Sequence, residues 1–106
     1  MVDKIKIGHR IYKVIEDGTM TDSRGVVGEI DFHGTRIIIS PRQEEQAMLD
    51  TLVHEAVHGM LNFMGEKVRN DNEATTERIT SGVLMLIRDN PELFLRFARV
   101  EDEKGN

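Results

Sequence analysis

Leu52-Val53-His54-Glu55-Ala56-Val57-His58-Gly59-Met60-Leu61 carries the pattern His-Glu-x-x-His inside an unbroken run of helical character. On an α-helix, residues four apart lie about 40° from one another around the axis. His54 and His58 therefore leave one face one turn apart, and two imidazole nitrogens can reach a single metal ion. Glu55 stands beside the pair, placed to handle a proton on a water held there without binding the metal itself. This is the spacing of a zinc hydrolase helix.

The flanking sequence gives the helix its bounds. Ser40-Pro41-Arg42-Gln43 reads as a helix start, with Ser40 as cap, Pro41 at the first helical position and Gln43 completing a capping box. The helix is expected over residues 41–64, stopping at Gly65. Leu49, Leu52, Val53, Ala56, Val57, Met60, Phe63 and Met64 form a broad apolar face, with the histidines roughly opposite its centre.

Before the helix, Lys4 to Glu16 alternates apolar and polar on either side of Gly8-His9, as one strand or as two short strands turning at Gly8. Asp17-Gly18 and Thr21 to Gly25 carry loop chemistry. Val26 to Phe32 and Arg36 to Ser40 are further apolar runs separated by His33-Gly34-Thr35, the pattern of an antiparallel hairpin. Residues 4–40 are thus expected to form a small, twisted antiparallel sheet. After it, Glu66 to Asp71 reads as a turn. A second helix is expected over 72–88, with Ile79, Val83, Leu86 and Ile87 on one face. Asn90 then caps a third helix over 91–100, whose Leu93, Phe94 and Phe97 can pack back on the core, and Glu101 to Asn106 reads as a frayed tail.

Composition narrows the class. A chain of 106 residues with 39% apolar and 31% charged residues suits one soluble α+β domain spanning 1–106. A net charge of −5 gives no electrostatic reason to expect nucleic acid or an anionic membrane as partner. The sequence has no cysteine, so any zinc site must use histidine and carboxylate, the donor set of catalytic rather than structural sites. That absence fits a reducing cytoplasm, and no signal peptide or membrane span is legible.

A catalytic site needs a third protein ligand. His9 and His33 fall on the sheet, where a lone histidine is most simply a surface residue. The better candidates open the second helix: Glu73 follows His58 by 15 residues and Glu77 follows it by 19. The two glutamates are themselves four apart, and the helical wheel does not separate them. The chemistry that follows is metal-assisted hydrolysis with Glu55 as general base, and an edge strand over Val26 to Ile30 could bind an extended peptide by strand addition. The rival reading is a catalytically inactive module that binds a partner protein.

Thr51-Leu52-Val53-His54-Glu55-Ala56-Val57-His58-Gly59 resembles the active helix of small ImmA/IrrE-like zinc metallopeptidases of phage and prophage type. Gly28-Glu29-Ile30-Asp31 with Arg36-Ile37-Ile38-Ile39 is similar to their strand hairpin. Glu77-Arg78-Ile79 through Asp89-Asn90-Pro91-Glu92-Leu93 is similar to their last helices. The resemblance covers roughly residues 26 to 95. It implies a zincin-like fold, a Zn2+ ion held by His54, His58 and a glutamate of the next helix, and a protein or peptide substrate; members of that family are associated with cleaving repressor-type regulators of mobile elements, without implying which substrate this chain takes. By position relative to Asp-Asn-Pro that glutamate falls on Glu77. Asn72-Glu73-Ala74 looks like the Asn-Glu-Ala of thermolysin-type gluzincins and keeps Glu73 in reserve. The chain departs from some relatives in carrying Thr80-Ser81-Gly82 where they have Ala-Asn-Gly, and it lacks the DNA-binding domain of larger members.

Overall fold

The computed structural model describes residues 2–65 and 73–103, with side chains through residue 100. Four strands and four helices follow in the order β1 (Lys4–Ile7), β2 (Arg10–Glu16), α1 (Thr19–Arg24), β3 (Gly28–Asp31), β4 (Arg36–Ile39), α2 (Glu45–Phe63), α3 (Glu73–Asp89) and α4 (Pro91–Glu103). The expected turn over 66–71 and the end of the tail lie outside the described residues.

Alternation builds the sheet. In β4, Ile37 and Ile39 are fully buried while Arg36 is exposed, so the odd positions make the core face. β1 and β2 form an antiparallel hairpin turning at Gly8, whose φ of 63° suits glycine. β3 and β4 form the second hairpin, and its turn is tied by Asp31, whose Oδ1 accepts from the amides of His33 and Gly34.

The expected all-antiparallel sheet is corrected in one respect. β4 lies beside β2 in parallel, with Val14 opposite Ile37, so the order is β1-β2-β4-β3 and the sheet is mixed. Between β2 and β3 the loop chemistry over 19–24 folds as the single turn-and-a-half of α1, which ends at Gly25 with φ 70° and carries the chain across to the far side of β4. β3 is left at an edge, as expected for the segment around Val26 to Ile30.

α2 starts at Glu45, later than Pro41. Ser40 caps a turn instead of a helix: its Oγ accepts from the Arg42 amide, and Gln43 Nε2 donates to the Ser40 carbonyl. Thr51 Oγ1 in turn donates to Gln43 Oε1, fastening this turn to α2. Leu52, Val57 and Leu61 are buried, and Ile7, Tyr12, Ile37, Ile39 and Leu52 make the core cluster. The far flank of the expected apolar face is not covered. Leu49, Val53 and Met60 line an apolar groove with Ile5 and Val83, and Phe63 and Met64 are exposed.

α3 packs on α2, with Glu73 against His54 and His58 and Arg88 paired with Asp50; Thr76 and Thr80 are its buried residues, while Leu86 and Ile87 are exposed. Among the described residues α4 packs on α3 alone, and Leu93, Phe94 and Phe97 are exposed rather than folded back on the core. Asn90 serves the end of α3: its Nδ2 donates to the Leu86 carbonyl instead of capping α4.

The seat of α2 on the sheet depends on Gly59. A Cβ there would lie 2.6 Å from Ile7 Cδ1 and 3.1 Å from Ile30 Cδ1. Alanine would gain up to about 1 kcal/mol of helix propensity, against roughly 1–3 kcal/mol for overpacking a filled interface. Gly59→Ala is expected to lower the urea midpoint with the m-value unchanged, whereas alanine at the exposed helical position Ser81 should not lower it.

Candidate metal centre

His54 and His58 project from α2 toward the start of α3 with ring centroids 4.9 Å apart and planes at 76°. Glu73, the first residue of α3, meets both: His54 Nε2 lies 2.5 Å from Oε1 and His58 Nε2 lies 3.2 Å from Oε2. One donor atom from each of His54, His58 and Glu73 lies within 4.8 Å of the others, a grouping that can hold a metal ion. Glu77, named first from the sequence, stands one turn further along α3. It lines the same cavity but is not part of this group. The antiparallel return of the chain brings the start of α3, not its second turn, against the histidines. His9 sits in the β1–β2 turn with its ring 5.5 Å from that of Phe63, and His33 sits in the β3–β4 turn; neither belongs to the group.

The electrostatics at His58 favour ligation. Burial pushes the His58 imidazole below its ordinary pKa, opposed by the Glu73 carboxylate beside it and reinforced by His54. A neutral imidazole keeps the lone pair that a metal needs.

Glu55 lies against Gly28 of β3, lines the same cavity as His54 and Glu73, and is 7% exposed. Burial raises its carboxyl to about 7; His54 opposes the rise, while Glu73 and Glu29 add to it. A carboxyl near neutrality can both take up and release a proton at working pH. Its place depends on Gly28, where a Cβ would lie 2.4 Å from Thr51 Cγ2 and 3.3 Å from Glu55 Oε2. Glycine lets the edge strand come this close to α2.

The centre opens on a cavity of about 630 Å³ between β3, α2 and α3. Gly25, Val26, Val27 and Gly28 form one wall, and Glu77, Thr80, Ser81 and Leu84 form the other. Sequence reasoning missed Asp50 and Thr51 on the cavity floor and the ion pair of Arg88 with Asp50 that joins α2 to α3. Asp50 and Thr51 fall one turn before His54, so helical spacing from the motif carried that signal. Nothing local pairs Arg88 with Asp50.

No known family model, curated protein or solved structure matches the chain. The fold and geometry therefore define it as a small α+β domain with a mixed sheet and a histidine–carboxylate group able to hold a metal. No helix among the described residues is long and apolar enough to cross a membrane.

A raised carboxyl has a consequence for folding. Between the unfolded pKa of 4.5 and the folded value of about 7, the unfolded state binds fewer protons, so stability falls as pH rises through that window and levels off above it. The difference is on the order of 3 kcal/mol. After chelation, Glu55→Gln is expected to be more stable than wild type at pH 8 and to match it near pH 4.5, as read by urea unfolding across that range.

Proposed function

We propose that the chain is a cytoplasmic zinc-dependent peptidase of zincin-like type, acting on a protein or peptide substrate. The observation that carries this reading is the convergence of His54, His58 and Glu73 within 4.8 Å, next to a buried Glu55 and above a cavity walled by an edge strand. Two imidazoles and one carboxylate, without thiolate, form a donor set that suits zinc in a catalytic site. His54, His58 and Glu73 would hold the ion, with Glu73 taking the place that the resemblance gives to Glu77.

Zinc, when bound, supplies a Lewis acid that polarises a carbonyl and acidifies water. The rest of the chemistry belongs to the chain. Glu55 takes the proton from the attacking water and returns it to the departing amine, which its near-neutral carboxyl allows in both directions. β3 is an edge strand whose first residue, Gly28, lines the cavity, and an extended peptide would add to the sheet along that edge. A repressor-type regulator of a mobile element is the substrate class that the sequence resemblance favours.

The test separates metal binding from catalysis. Glu55→Gln is expected to keep equimolar zinc and to lose about 100-fold or more in cleavage of a panel of co-expressed repressor-type regulators. If wild type and variant both hold zinc and neither cleaves any member, the peptidase reading falls and a partner-binding module takes its place. For the ligand set, Glu73→Ala should weaken zinc by more than the roughly 10–100-fold that loss of an outer partner costs, while Glu77→Ala should leave zinc stoichiometry unchanged in metal analysis.

A further inference from the structure

Glu77 is the one carboxylate of the cavity left without a task. Glu73 is engaged by the histidines, Glu55 is buried against β3, and Asp50 is paired with Arg88. Among the described residues, no ion pair or hydrogen bond holds Glu77. Arg88 pairs with Asp50 and Arg24 with Glu29, so neither of these cations is paired with Glu77.

A second observation marks the same wall. Thr80, 6% exposed and lining this cavity one turn beyond Thr76, has a hydroxyl with no hydrogen-bond partner. A buried hydroxyl without a partner is uncommon, and it is relieved by a polar group brought into reach. A threonine on a helix has two accessible rotamers, so its oxygen can turn to accept from a donor in the cavity.

The stripe along α3 has a definite order. Glu73, Glu77, Thr80 or Ser81, and Leu84 follow at helical spacing, so an acid lies about 6 Å beyond the metal ligand, with hydroxyls and then an aliphatic group further on. Val26 and Val27 face this stripe from the other wall. A lysine or arginine side chain matches both features, since its apolar stem lies along aliphatic walls while its head seeks an acid.

We infer that Glu77 is a specificity-determining residue, and that this part of the cavity takes a basic side chain flanking the scissile bond of the substrate. The inference rests on the peptidase reading and deepens it. The cation would pair with Glu77 and donate to Thr80 Oγ1, and Glu77 would disfavour an acidic side chain by repulsion.

Zinc-loaded full-length protein is tested with internally quenched peptides that differ only in carrying lysine, norleucine or glutamate next to the scissile bond. Lysine should be favoured over norleucine by about three- to tenfold, the scale of a partly shielded charge-assisted contact. Glu77→Gln should erase that preference and Glu77→Lys should turn it toward glutamate. Cleavage with no basic preference, or a preference that survives Glu77→Gln, overturns the inference and leaves the peptidase reading standing. A second readout needs no turnover: anisotropy of the same peptides, dye-labelled, on Glu55→Gln and on the Glu55→Gln/Glu77→Gln double variant. Binding in the order lysine, norleucine, glutamate that depends on Glu77 supports the inference even if no peptide is cut, a result that would sink the peptidase reading alone. Equal affinities, or no binding, overturn it. Zinc content closes the test, because a loss of zinc in Glu77→Gln would make Glu77 a ligand and end its role as a specificity residue.

Discussion

The arrangement depends on how closely α2 lies against the sheet. Gly59 and Gly28 are the two contact points, one on the helix and one on the edge strand, and at each a Cβ would overlap a neighbour. That approach settles which faces of α2 are dry. It turns Glu55 into the interface with β3, where loss of water raises its carboxyl, and it turns His54 and His58 outward to meet α3. Neighbouring residues on one helix thus receive different environments, a buried acid whose carboxyl is raised to about 7 and a His58 imidazole that burial pushes below its ordinary pKa. A helix standing a few tenths of an ångström further out would blur that contrast.

The sequence made the central helix and both hairpins legible, because their signals are local. A spacing of four puts two histidines on one face, a period of two buries Ile37 and Ile39, and glycine or Asp-containing turns close the hairpins. What it could not carry is pairing between distant segments. Nothing in Lys13 to Glu16 or Arg36 to Ile39 states that they run parallel; that follows from the path of α1, whose six residues are too few for a periodic signal. The choice between Glu73 and Glu77 was not legible for a related reason. The two share one face of α3, so the choice depends on where the chain re-enters beside α2, and helical spacing is silent on that.

Ser40 and Asn90 illustrate a narrower limit. Both have the chemistry of a helix cap, and both do cap something, but Ser40 closes a turn before the helix and Asn90 holds the carbonyl end of the helix behind it. Short polar side chains bond whichever backbone group is nearest, and the direction is set only when the chain's path is known. The outward apolar residues of α4 belong with these cases: amphipathic periodicity states that a face exists, not that this chain covers it.

The three walls of the cavity come from three well-separated stretches, and the last of its lining residues is Leu84. During synthesis the sheet can close once β4 has emerged, because β3 is joined to the rest only through it. The histidines follow within α2, yet their carboxylate partner and the far wall await α3. A nascent chain therefore carries its histidine-bearing helix for some twenty residues before the cavity beside it is complete. A chain cut before α3 would hold the His-Glu-x-x-His motif without the far wall of the cavity.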